Sequence, residues 1–120
     1  MQKFSRNGPL HLLDAVRFTC LGLMAAVRHQ EAFRQELVIF AVAVPVALWL
    51  GDTGVERALL IGSLLVVLVV EMLNSAIETV VNRVGTEFHE LSGRAKDMGS
   101  AAVFLSIVNA VVVWALVLLG

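Results

Sequence analysis

An all-α membrane protein is the fold the sequence predicts, and three observations predict it. Of 120 residues, 58% are hydrophobic, and mean hydropathy is +0.85, where soluble domains run at roughly 45–50% apolar. The apolar residues are gathered into long Val/Leu/Ala runs parted by short charged stretches, and there are two prolines. In lipid every backbone polar group must be satisfied within its own segment, which makes helices the default. The length suits a single domain, 1–120.

The first element is a helix over about residues 9–30. Leu10, Leu13, Val16, Cys20, Leu23 and Val27 recur mostly at steps of three and four, with His11, Asp14, Arg17 and Arg28 elsewhere on the wheel. That is an amphipathic pattern, suited to the membrane surface or to packing on a bundle. Arg6, His11 and Asp14 interrupt the stretch a cleavable leader would need, so the N-terminus is expected to stay. The single cysteine, Cys20, has no partner for an internal disulfide and reads as a small packing residue.

The first span is expected over about 32–50. Its clean apolar run, Leu37 to Leu50, is 14 residues, and a span needs about 20. It therefore borrows Ala32 to Glu36, which puts Arg34 and Glu36 near the interface, where long side chains snorkel. Gly51, Asp52, Thr53 and Gly54 make a turn. The second span, about 57–83, starts as the apolar run Ala58 to Val70 and stays helical in pattern through Glu71, Asn74 and Glu78 to about Val84. A polar loop, Gly85 to Gly99, is expected next. The third span, about 100–120, is interrupted by Ser106 and Asn109.

Eight of the nine Lys and Arg residues lie before the first span or between the second and third, and Arg57 alone lies on the opposite side. The positive-inside rule then makes the N-terminus and the Gly85 to Gly99 loop cytoplasmic in a multi-pass protein of the cytoplasmic membrane. A net charge of −1, with its basic residues dispersed, excludes nucleic acid as a partner.

Glu71, Asn74 and Glu78 stand at i, i+3 and i+7, on one stripe with Ser75 beside them. A carboxylate facing hydrocarbon costs several kcal/mol on most scales, about 2.5 or more at the helix centre, so the stripe faces protein, water or an ion. Two readings stay open: a set of helix–helix hydrogen bonds, with Glu71 paired to Arg34 or protonated, or a working site. The two carboxylates lie about 10 Å apart along the helix, a spacing better suited to separate tasks than to one shared metal.

The loop from Glu87 to Ser100 sets cations, acids and His89 against the start of the third span, where free N–H groups favour anions. It either holds a phosphate or is a solvated segment that sets topology. Neither GxxxxGK[ST] nor GxGxxG occurs. His29, beside Gln30 and Glu31, is a metal ligand or an interfacial histidine. Trp49 and Trp114 suit interface anchors.

Glu71-Met-Leu-Asn74-Ser75-Ala-Ile-Glu78, followed by His89-Glu-Leu-Ser-Gly93-Arg94-Ala-Lys96-Asp97-Met-Gly-Ser100, resembles the small integral-membrane diacylglycerol kinases of bacteria, as does the upstream Ala32-Phe33-Arg34-Gln35-Glu36. The likeness extends over nearly the whole chain. It implies an N-terminal amphipathic surface helix plus three transmembrane helices, assembled as a homotrimeric bundle with sites between subunits. It implies phosphorylation of diacylglycerol to phosphatidic acid with ATP as donor and Mg2+ as cofactor. Carried over by residue, Glu71 is the base and Asn74 helps position the hydroxyl. Glu78 binds the metal, with Gln30 or Glu31 as its second ligand. His11, Phe18, Glu87, Phe88, His89, Lys96 and Asp97 fall on the nucleotide side, and Arg34, Glu36, Trp49, Ser100 and Trp114 on the lipid side.

The chain departs from the family pattern where a metal-binding glutamate is usual, since Gln30 stands there with Glu31 next to it. Leu21, His11 and Asn82 stand where the family tends to have lysine, arginine and aspartate. One residue turns a helical side chain by about 100°, and the expected order is that Glu31→Ala weakens magnesium dependence more than Gln30→Ala. The alternatives to a diacylglycerol kinase are a polyprenol (undecaprenol) kinase of the same fold and a non-catalytic membrane scaffold.

Overall fold

The computed structural model describes residues 8–85 and 89–120, and among them every regular element is an α-helix. In chain order these are α1 (Pro9–His29), α2 (Glu31–Leu50), α3 (Gly54–Val84) and α4 (Glu90–Leu119). All four, α1 included, are long and apolar enough to cross a membrane. Val38, Val42, Leu105 and Val111 remain largely exposed, as is expected of helices whose solvent is lipid or another helix rather than water.

α1 starts where Gly8 takes φ 65, a left-handed conformation, and Pro9 fills the first helical turn, where its missing N–H goes unneeded. It ends at His29. Gln30 is the whole joint to α2: it is extended, with φ −117 and ψ 103, its N–H bonds back to Ala26 O at 2.9 Å, and its carbonyl accepts from Arg34 N at 3.2 Å. The last carbonyls of α1 would otherwise lack partners. Arg34 supplies them, Nη1 donating to Val27 O at 2.8 Å and to Arg28 O at 3.2 Å. Arg34 thus clamps α1 to α2 and is not the partner of Glu71, correcting one of the readings left open above.

The α2–α3 turn is stapled from the other side. Arg57 Nε donates to Leu48 O at 3.1 Å, and Thr53 caps α3 by accepting from Glu56 N at 3.1 Å. Gly51 is buried there, and a Cβ on it would come within 2.6 Å of Arg57 Cγ, so the close approach of that side chain requires glycine.

α3 is the central helix. Its buried face, Leu60, Ser63, Val67, Leu68, Glu71, Asn74 and Ser75, packs between α2 and, most extensively, α4. The buried residues of α4 are Gly99, Ser106 and Ala110, and such small residues let membrane helices approach closely. Trp114 Nε1 donates to Leu60 O at 3.1 Å, tying α4 to α3 at the Gly51 end of the bundle. Ala26, Phe33 and Leu68, with Phe40 and Met72 against them, join α1, α2 and α3.

The largest difference from expectation is the polar loop. Helix α4 begins at Glu90, not near residue 100. His89 caps it, Nδ1 accepting from Leu91 N at 3.1 Å, and Glu90 pairs with Arg94 at 3.6 Å. Glu90, Leu91, Arg94, Ala95, Lys96 and Met98 are good helix formers that outweigh Gly93 and Gly99, and the charges among them mark the end of a span without marking the end of a helix. The predicted anion-binding helix start is corrected with it: Arg94, Lys96, Asp97 and Ser100 lie along the body of α4. α3 and α4 are 31 and 30 residues long, about 45 Å each at 1.5 Å per residue, and exceed the roughly 30 Å of bilayer hydrocarbon.

Candidate active site

The stripe inferred from spacing is present on α3. Glu71 and Asn74 are 6% and 8% exposed, and Glu78 is half-buried. Asn74 Nδ2 donates to Glu78 Oε1 at 3.2 Å, so the amide and the Glu78 carboxylate are joined. Glu36 of α2, half-buried, stands beside the stripe on a groove it shares with Leu64 and Leu68 of α3.

On one flank a groove of about 460 Å³ runs between the end of α1 and α3, lined by Gly22, Ala25, Ala26, His29 and Gln30 on one wall and by Met72, Ser75, Ala76, Thr79 and Val80 on the other. Small side chains on both walls keep it open. Thr79 Oγ1 donates to Ser75 O at 2.8 Å, while Ser75 Oγ is buried without a partner. On the other flank an apolar groove of about 240 Å³ opens between α2, α3 and α4, lined by Phe40, Leu64, Leu68 and Ala110 among others, with Glu36 at its edge.

The remaining expected site residues scatter. Gln30 is half-buried and lines the first groove, whereas Glu31 is exposed on the first turn of α2. The argument from 100° per residue fails here because Gln30 is not helical. Lys96, Asp97 and Ser100 are exposed on α4. His11 and Phe18 lie on α1 and have interaction partners. His89 is committed to capping α4. Trp49 is 82% exposed beside Gly51, and Trp114 is held by the Leu60 carbonyl, eleven residues, or about 16 Å, from Glu71. Glu87 and Phe88 lie outside the described residues.

Among the described residues, no cluster of three or more His, Cys, Asp or Glu could hold a metal by itself. This does not disfavour magnesium, which usually takes only one or two carboxylates and completes its shell with water and substrate phosphates. Glu78, half-buried with Oε1 already oriented by Asn74, fits such a partial site.

One neighbour of the stripe escapes the reading from sequence. Gly99 of α4 lies directly against Asn74, and a Cβ there would overlap Asn74 Oδ1. The available signal is the spacing of the small residues Ala95, Gly99, Ser106 and Ala110 along α4.

Residues 17–118 match the family model described as prokaryotic diacylglycerol kinase. The chain is 50% identical to the diacylglycerol kinase of Escherichia coli strain K12 over 112 residues, 93% of this chain and 92% of that protein. It is 44% identical to the diacylglycerol kinase of Haemophilus influenzae over 111 residues, 92% and 94% of the two chains. With the diacylglycerol kinase of Pseudomonas aeruginosa the identity is 46% over 115 residues, 96% and 94%.

Proposed function

The chain belongs to the prokaryotic diacylglycerol kinase family, and from that premise we propose that it moves the γ-phosphoryl group of ATP to the free hydroxyl of diacylglycerol at the cytoplasmic face of the inner membrane. The observation that carries the reading is the buried stripe: Glu71 deep in an apolar helix, with the hydrogen-bonded Asn74 and Glu78 one to two turns nearer the polar end. A membrane-bound hydroxyl meets the deep acid and a soluble phosphate donor meets the shallow one. Phosphoryl transfer asks mainly for positioning and charge neutralisation, which this stripe can supply.

In this reading Glu71 takes the proton of the lipid hydroxyl as its oxygen bonds to the γ-phosphorus. The bond from that phosphorus to the bridging oxygen breaks, and ADP leaves with the electron pair. Asn74 orients the reacting groups. Glu78 and Gln30 would hold magnesium, which would supply charge neutralisation for the phosphates. Lys96, Asp97, His11, Phe18 and His89, with Glu87 and Phe88, belong to the nucleotide side. Glu36 and Ser100 face the lipid, and Arg34, Trp49 and Trp114 support that side by holding or anchoring the helices.

α1 serves as a surface helix and α2, α3 and α4 as the three spans of a single domain, 1–120. What supports this is the joint at Gln30, too short for a hairpin between two spans, and a molecule 47 × 42 × 22 Å in extent. Three helices side by side at about 8–10 Å spacing fill only part of the 42 Å. The cytoplasmic N-terminus rests on the eight-to-one distribution of Lys and Arg. The homotrimer follows from the family likeness and from the size of the chain, since three spans offer little to enclose both a lipid and a nucleotide.

The deciding assay offers the purified protein in micelles magnesium ATP with diacylglycerol in one arm and undecaprenol in another. Phosphatidic acid in the first arm is the expected product. Product with undecaprenol alone would select the polyprenol kinase, and no product with any lipid alcohol would leave the scaffold.

The position of Gln30 reverses the order expected from sequence. Gln30→Ala should raise the magnesium concentration for half-maximal turnover by about tenfold, a loss typical of groups that hold or orient a metal, and Glu31→Ala should barely change it. A magnesium titration of the two variants checks this, and a larger effect at Glu31 overturns it.

A further inference from the structure

Gly99 belongs to α4, yet its closest neighbour is the amide of Asn74 on α3. A Cβ built on Gly99 overlaps Asn74 Oδ1 and stands 3.2 Å from Cγ. Gly99 and Asn74 are both buried, and Oδ1 has no hydrogen-bond partner. The other end of the same amide is engaged, Nδ2 donating to Glu78 Oε1. The amide is thus fixed at one end by a hydrogen bond and at the other by bare backbone.

We propose that Gly99 is a positioning residue of the phosphoryl-transfer site, holding the Asn74 amide in the orientation that binds Glu78; the inference rests on the function proposed above. A side chain at 99 leaves two outcomes. Either Asn74 rotates and releases Glu78, or α4 moves away from α3 and carries with it Lys96 and Asp97, two to three residues earlier on the same helix. Interiors packed at protein density absorb even one added carbon through side-chain or backbone shifts. Either shift misplaces the site without removing any group from it. Gly99 also makes the α3 acids and the α4 polar turn a single geometric unit.

A double-mutant cycle with a spectroscopic readout tests this. Gly99→Ala should lower kcat on the order of 10²-fold, as misplacements near 1 Å do. It should also shift the Asn74 side-chain amide resonance in protein labelled with 15N. Asn74→Ala should lower kcat as well, and the double variant should be no worse than Asn74→Ala within about twofold, because coupled neighbours are not additive. Losses that multiply, or an unmoved Asn74 resonance, overturn the inference alone. Full turnover in Asn74→Ala removes Asn74 from the site and the inference with it. Should Gly99→Ala fail to fold, the double variant, relieved of the overlap, should fold; its failure too would show that Gly99 serves another contact.

Discussion

Glu71→Gln is expected to lower lipid phosphorylation on the order of 10²- to 10⁴-fold, the usual weight of a general base, while helix content and assembly stay unchanged. The substitution keeps size and shape at a position 6% exposed, so packing on α2 and α4 has no reason to change. An amide is also cheaper to bury than a carboxylate, and stability should hold or rise. What is lost is the ability to accept a proton from a hydroxyl at membrane depth. Formation of phosphatidic acid, measured beside circular dichroism and the size of the assembly in micelles, separates the two effects. Turnover like that of the parent chain would remove Glu71 as base.

Glu78→Gln should be nearly as damaging, on the order of 10²-fold in kcat, comparable with deleting one group that stabilises charge in the transition state. It leaves an oxygen able to accept from Asn74 Nδ2, so the 3.2 Å contact has no need to break. It removes the charge that a hard divalent cation prefers. The magnesium concentration for half-maximal turnover should rise along with the fall in rate. An unchanged magnesium titration would place the metal on other residues. Glu71→Gln, by contrast, should leave that titration where it is, and comparison of the two variants assigns the deep and shallow acids their separate tasks.

Much of this was legible in the sequence because helical periodicity and hydropathy act locally. The stripe of Glu71, Asn74 and Glu78 follows from spacing on any regular helix, and the ends of α1 and α2 fall within a residue or two of their expected places. The helical start of α4 was hidden because Glu90, Arg94, Lys96 and Asp97 interrupt the apolar pattern, and hydropathy reports where lipid ends rather than where helix ends. The role of Arg34 was hidden for a different reason. Its partners are carbonyls of the preceding helix, and a search among side chains for a countercharge passes over them. Gln30 and Gly99 depend on a single non-helical residue and on the approach of a second helix. Neither condition is written into a window of neighbouring residues.

α3 and α4 are longer than the hydrocarbon thickness of a bilayer, and in the function proposed above the acids lie along the part of α3 that crosses out of it. Lipid of a different acyl length changes how much of each helix is submerged, and helices answer such mismatch by tilting or by thinning the bilayer around them. Glu71 and Glu78 sit at different heights on one rigid rod, so tilt moves both against the boundary between oil and water. The depth at which a hydroxyl group floats must match the deep acid while the shallow one stays wet. Under the proposed function, membrane thickness becomes a variable of the reaction, alongside the concentrations of the two substrates.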